Sequence, residues 1–415
     1  MKKIAIFTED FNGPKIYKAA VKFGYIPYMF LATKPKNEFD YPYYILDPLQ
    51  PLNEFSAKIE SIMEGKPDAV ISCIEQFCVN IAKYTESIGV EINKSSIYEI
   101  LRNKNKMKEI WLSKGVTTAN FCFCKSFDDI DFNTLSYPLI VKPSLGAASA
   151  GVRIVYNEQD LRKQIRQILR FNITTLTEED KHSGFLVEEY ISGEEFSVDT
   201  IWFNGEPVID GIMSKGNPQG PLFPDRLYLM DPLLKPEIKD ELLSSSHNAV
   251  KAAGVKAGAT HTEIRVKNGK GYVIESALRP GAGSCFYDLF EKALGVSFYE
   301  ALVIVSLSDP TEAQKCVLKE MSKQINSVPT SRLFWYNMGY KGSGIIKEIR
   351  GEEKILSEPF VNKVVIRKKT DEYLSPECDS FIYFGWIFGL MEENDFSKYY
   401  EMLENAEKQI NIMYS

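Results

Sequence analysis

The chain has 415 residues, 44% apolar and 25% charged, and a net charge of −7. A chain of this length is expected to divide into two or three units with their own cores. The acidic balance argues against nucleic acid or an anionic membrane as a general partner, while leaving room for one local basic pocket.

Residues 1–100 alternate strand and helix signals. KKIAIF reads as a buried strand, PKIYKAAVKFG as a helix ending at Gly24, and IPYMFLAT as a second strand. DAVISC, residues 68–73, is a third strand, and EQFCVNIAKYTESIG a helix that stops at Gly89. Such alternation predicts a parallel sheet with helices on its faces. TEDFNGPK follows the first strand without a GxGxxG pattern, so no dinucleotide site is read there. Residues 103–115 predict a basic helix closed by Gly115. From about 120 to 310 strands dominate, with helices near 158–171, 234–253 and 285–307. Residues 172–183 read as an exposed loop, and the Gly- and Pro-rich residues 216–226 as a mobile one. After about 310, KVVIRKK and FIYFGWIFG predict short strands of a third, mostly β unit, with a terminal helix over 395–413.

No stretch approaches the roughly 18 apolar residues of a membrane span, and MKKIAIFTED has too short an apolar run for an export signal. Seven scattered cysteines suit a reduced, cytoplasmic protein. His182, His247 and His261 are the three histidines and lie far apart. A metal would therefore be held by carboxylates, which favours a hard ion such as Mg²⁺.

Three stretches carry candidate chemistry. In YPLIVKPSLGAASAGVRIVY, residues 137–156, small residues separate two apolar runs. Small residues let backbone N–H groups approach an anion, Ser149 adds a hydroxyl, and Lys142 adds a point charge. An ordinary Gly/Ala/Ser loop would look the same by itself. In FLVEEYISGEEFSVDTIW, residues 185–202, acids interrupt apolar strands; either a solvated turn or contacts to a base and a ribose explain them. In HTEIRVKNGKGYVIESALRPGAGS, residues 261–284, Glu263 and Glu275 lie on two runs joined by a turn. A hairpin can bring them side by side, where two carboxylates repel unless a cation sits between them; a surface hairpin with scattered charges is the alternative. Arg279, four residues on, suits a transferring phosphoryl group.

Together, in this order, these motifs resemble the ATP-grasp superfamily over residues 100 to about 310. The resemblance implies an α/β fold with an N-terminal Rossmann-like domain over 1–100. It implies an ATP-grasp domain over 101–310, split into lobes near 190, and a small β-rich domain over 311–415. By position, Lys104 and Lys142 resemble the nucleotide lysines, and Gly146 to Gly151, with Ser149, the flap over the phosphates. Glu188, Glu189 and Ile191 resemble the adenine-side hinge and Glu195 the ribose ligand. Lys215 resembles a further basic residue near the phosphates, Glu263 and Glu275 the Mg²⁺ ligands, and Arg279 the group that stabilises an acyl phosphate.

Most family members place a metal-binding asparagine where this chain has Ala277. ESA-x-R beside HTEI is instead similar to the bacilysin-type L-amino-acid ligases. That branch implies a carboxylate–amine ligase using ATP and two Mg²⁺ ions, with Mn²⁺ as a substitute, and joining two amino acids through an acyl phosphate. A homodimer is common among such ligases. His261 reads either as a contact to substrate or as a buried structural histidine. A ligase acting on another acid, a carboxyphosphate-forming enzyme and a non-catalytic ATP-binding module share some or all of these motifs.

Overall fold

A computed structural model describes residues 2–9, 12–35, 40–146, 149–176, 180–217, 223–324, 332–339, 342–374, 383–391 and 396–415. The N-terminal unit is a four-stranded parallel sheet, with strands in the order Tyr43–Ile45, Ile26–Leu31, Lys3–Phe7, Ala69–Ser72. Helices Gly13–Lys22, Leu52–Met63 and Cys78–Ile88 accompany it. Phe7, Phe30, Phe55 and Tyr84 fill the core on one face. Neighbouring parallel strands end on the same edge, so the segments after Phe7 and Ser72 emerge together. Their residues Glu9, Cys73 and Glu75 line the central cavity, at the carboxyl edge where open α/β sheets bind ligands.

A second, antiparallel sheet runs Phe121–Cys124, Phe185–Glu189, Leu139–Pro143, Arg153–Val155. Leu139 opposes Val155 and Val141 opposes Arg153, so the small-residue stretch is the connection of an antiparallel pair. Helix Glu158–Thr175 covers this sheet with Leu161, Ile165 and Ile168. It runs into the stretch expected as a loop over 172–183, because Asn172 is buried and its Nδ2 donates to Gly184 O at 3.1 Å.

The largest sheet has eight antiparallel strands: Lys270–Ala277, Gly258–Lys267, Glu194–Phe203, Glu206–Gly216, Leu227–Leu229, Arg332–Met338, Gly385–Met391 and Val361–Ile366. The segment after residue 310 thus contributes three strands to the sheet that residues 194–277 begin. Helix Pro236–Ala253 packs on this sheet through Leu242, Ala249 and Val250. Phe286–Leu294 and Phe298–Val305 belong to another core, with Met213 and Trp335. The helical stretch expected over 285–307 breaks at Gly295, whose φ of +71° ends the first helix. The expected terminal helix over 395–413 stops at Glu407. Asn411–Tyr414 is a strand instead, because Gly344–Arg350 offers it a free edge. Residues 218–222 of the 216–226 loop, and Ala147 and Ala148 of the flap, lie outside the described residues. No described helix is long and apolar enough to cross a membrane.

Candidate active site

A cavity of about 460 Å³ opens between the three units, and most of the residues singled out from the sequence line it. Lys142 ends the strand Leu139–Pro143, and its buried Nζ lies 2.8 Å from Glu188 Oε1. Glu188 also meets Lys108, whose Nζ is 3.4 Å from Oε2 and donates to Thr118 Oγ1 at 2.7 Å. Burial alone would raise the Glu188 carboxyl, but the two ammonium groups outweigh it and hold it below the usual carboxylate range. Burial pushes Lys108 down to about 8, against the pull of Glu188. Glu188 is therefore a counter-ion at the root of Lys142. Glu189, the next residue, is half-buried and accepts from Asn120 Nδ2 at 3.2 Å.

Asn103 caps the helix Lys104–Ser113, its side chain accepting from Asn105 N and Lys106 N. The cap sets Lys104 at the first turn. Its Nζ reaches Glu275 Oε1 at 3.0 Å and Gly146 O, at the mouth of the flap, at 3.2 Å. Arg102 Nη1 donates to the same carbonyl at 2.9 Å. Ser149 adopts φ +56° and Gly151 φ +75°. The first is uncommon for a residue with a Cβ, so the flap carries a sharp reversal at its tip. Ser149 lines the cavity, and Gly151 packs against Pro143 behind it.

The hairpin forms as expected. Asn268 and Gly269, at φ +53° and +77°, make the two-residue turn between Gly258–Lys267 and Lys270–Ala277. The turn sets Lys267 opposite Lys270 and Ile264 opposite Val273, and a bulge at Ile274 then brings Glu263 opposite Glu275. Each carboxylate meets a lysine: Lys104 for Glu275, and Lys215 at 3.1 Å for Glu263. Lys215 bonds three carboxylates, also meeting Glu195 and Asp225, the latter at 2.6 Å. Burial works against its charge, yet the three acids raise it well above the usual lysine range. Glu195, Asp225 and Glu263 bring oxygens within 4.8 Å of one another, as a metal cluster would, but Lys215 already serves all three. Glu263 and Glu275 face each other across the hairpin and both line the cavity, and as hard oxygen donors they suit Mg²⁺.

His261 is buried and lines the cavity as well. Its Nδ1 lies 2.9 Å from Asp199 Oδ2, and Nε2 3.6 Å from Glu263. Asp199 Oδ1 accepts from Gly281 N at 2.8 Å, which anchors the pair. Burial disfavours the imidazolium, but Asp199 and then Glu263 outweigh it and raise His261 to about 9. Ala277 sits opposite His261 in the register, so its small side chain leaves that row to the ring.

Four partners were missed from the sequence. Glu75 binds Arg279 Nε. Arg265 Nε donates to Glu195 Oε2 at 2.8 Å, and its Nη1 to Ile191 O at 3.1 Å, which ties the hinge to the hairpin. Asp199 orients His261, and Lys108 backs Glu188. No local pattern marks these contacts, since each joins distant segments; a charged residue inside an apolar run was the available signal.

Residues 135–288 match the family model described as the ATP-grasp domain. Among curated proteins, a D-alanine–D-alanine ligase of Pediococcus pentosaceus is 30% identical over 153 residues, 37% of this chain and 37% of that protein. An alanine–anticapsin ligase of Bacillus subtilis is 26% identical over 254 residues, covering 57% of this chain and 53% of that protein. The matched chain thus spans from about a third to about half of these two relatives. Among solved structures, an L-amino acid ligase from Bacillus licheniformis superposes with a TM-score of 0.81 at 24% identity, covering 100% of this chain and 99% of that one. The flap and the paired glutamates thus line one cavity, residues 135–288 match the ATP-grasp domain, and the chain shares its overall fold with that L-amino acid ligase.

Proposed function

We propose that the protein is an ATP-dependent carboxylate–amine ligase that joins two L-amino acids, releasing ADP and phosphate. The observation that carries this reading is the facing pair Glu263 and Glu275, the second held by Lys104 and the first by Lys215, on the wall of one cavity with Arg279. The kinds of relatives named above support it.

In this reading Lys104 and Lys142 meet the nucleotide phosphates, and the flap from Gly146 to Gly151, with Ser149, covers them. Ile191, Glu189 and Glu195 contact the adenosine end, and Glu188 holds Lys142 in place. Glu263 and Glu275 would hold Mg²⁺, two ions being the expected count and Mn²⁺ a substitute; bound there, it supplies charge neutralisation at the phosphates. The substrate carboxylate attacks the γ-phosphorus, forming an O–P bond as the bond to the β-bridging oxygen breaks and ADP leaves. The amine nitrogen then attacks the acyl carbon, the C–O bond to phosphate breaks, and the amine proton leaves with the phosphate. Arg279, aimed by Glu75, faces the charge that develops on the acyl phosphate. Lys215 orders the carboxylates Glu195 and Glu263. Water is kept from the acyl phosphate by closure over the cavity.

The six described cysteines are free, which supports a cytoplasmic setting. A homodimer is the expected assembly, and sedimentation of the full chain is the measurement that checks it. The test of function is phosphate release from Mg·ATP, screened over amino acids singly and in pairs, with Glu275→Ala as control. Release that needs a pair and vanishes in the control is expected. ATP binding without release by any pair would sink the dipeptide reading and favour a non-catalytic module.

A further inference from the structure

The cavity has a wall that none of these roles uses, built by the C-terminal strands. Arg332–Met338 and Gly385–Met391 set Asn337 opposite Trp386, and Trp386 opposes Val365 on the next strand. Directly opposed residues of antiparallel strands point to one face, and residues two apart share it. Trp335, Asn337 and Trp386 therefore form one surface, with Arg367 at its edge. The Arg367 guanidinium lies 4.8 Å over the Trp386 ring, and Trp386 meets Trp335 edge-on at 5.2 Å. All four residues line the cavity, and so does Lys368.

Two polar atoms of this wall lack partners. Trp335 Nε1 and Asn337 Oδ1 find no hydrogen bond among the described residues, although both side chains are buried. The Asn337 amide is oriented, because Nδ2 donates to Asp225 O. The wall thus offers an unmatched donor, an unmatched acceptor and a guanidinium. Buried polar groups are almost always satisfied, so such orphans mark a place for a ligand. The wall also adjoins the reacting centre on two sides. Lys215, bound to Glu263, lies 5.5 Å over the Tyr228 ring, which is 6.1 Å from Trp335. His261, beside Glu263, is 5.9 Å from Phe286, which is 5.0 Å from Trp335.

We propose that this wall is the subsite of the amine substrate, and that it selects an amine carrying its own carboxylate. Arg367 and Trp335 Nε1 hold that carboxylate, and Asn337 Oδ1 accepts from the amine N–H. The acid substrate cannot be the one held here by its carboxylate. That carboxylate is consumed at the phosphates, beside Lys104 and Arg279, so a guanidinium on another wall meets a carboxylate that does not react. A planar guanidinium fits a carboxylate through paired donors. The stacked Trp386 keeps the fork from rotating away. This assignment rests on the ligase reading.

The experiment uses the full chain with Mg·ATP and the acid found in the pair screen. Amino acids are compared, as amine substrate, with their amides and with the matching decarboxylated amines. Wild type is set beside Arg367→Leu, Arg367→Lys and Trp335→Phe. The expected result is a rise in KM for the amino-acid amine of about tenfold to a hundredfold in Arg367→Leu, with KM for ATP and for the acid unchanged. Arg367→Lys should recover part of the loss. Preference for amino acid over amide should disappear in Arg367→Leu, and Trp335→Phe should weaken it while keeping the ring. Unchanged amine KM, or a rise confined to the acid, overturns the subsite while leaving the ligase reading standing. No pair-dependent phosphate release by wild type sinks both.

Discussion

Arg279 Nε donates to Glu75 Oε2 across 204 residues of chain, joining the segment after the paired-glutamate hairpin to the carboxyl edge of the N-terminal sheet. Both groups are largely buried, at 18% and 8% side-chain exposure. Burial works against the carboxylate, but Arg279 and then Arg102 outweigh it and hold Glu75 below the usual carboxylate range. The cation assigned to the acyl phosphate is thus aimed by a different unit of the fold.

Removing that partner tests the coupling. Glu75→Ala leaves a buried guanidinium uncompensated and should cost about 3–5 kcal/mol of stability, read by urea unfolding. Glu75→Gln keeps the volume and should lower kcat more than it changes KM for ATP, read by steady-state phosphate release.

His261 predicts a pH dependence of stability. Its pKa rises from 6.5 to about 9 in the folded chain, with burial opposing and Asp199 outweighing it. The stabilisation is fully present below 6.5 and is lost as pH rises through about 9. The stability advantage of wild type over His261→Gln should therefore shrink between pH 6.5 and 9, measured by urea unfolding at several pH values. An advantage that stays constant over this window would contradict the imidazolium–Asp199 pair.

Lys108 shares Glu188 with Lys142, without lining the cavity itself. Lys108→Met leaves Glu188 with Lys142 as its sole ammonium partner among the described residues. Lys142 is then held more tightly and yields less readily to phosphate. ADP affinity, measured by calorimetry, should fall about tenfold, the worth of one charged hydrogen bond.

Gly193 sits in the turn between Ile191 and Glu195 at φ +119°. A Cβ there would collide with the Val266 carbonyl oxygen of the neighbouring hairpin. Gly193→Ala should cost about 1–3 kcal/mol through backbone strain, read as a lower Tm, and should weaken ADP binding by moving the Ile191–Glu195 hinge.

The amino-acid sequence by itself determined the local devices. The lysine before a small-residue stretch, the acidic hinge and the two glutamates flanking a turn are set by neighbours a few residues apart. The turn residues Asn268 and Gly269 announced the hairpin, but their register alone would set Glu263 opposite Ile274; a bulge that no local pattern marks brings Glu263 to face Glu275. The alternation in residues 1–100 likewise announced the parallel sheet. Only the tertiary structure decided which charges meet. Glu75 with Arg279, Arg265 with Glu195 and Lys108 with Glu188 depend on sheet order and unit packing, which no local period encodes. Lys215, read as a further basic residue near the phosphates, is brought among three carboxylates by the strands Glu194–Phe203, Glu206–Gly216 and Gly258–Lys267 and by the segment that holds Asp225. The aromatic wall arose in the same way. The strands after residue 310 extend the main sheet rather than stand apart, because antiparallel edges pair wherever geometry allows, irrespective of distance along the chain.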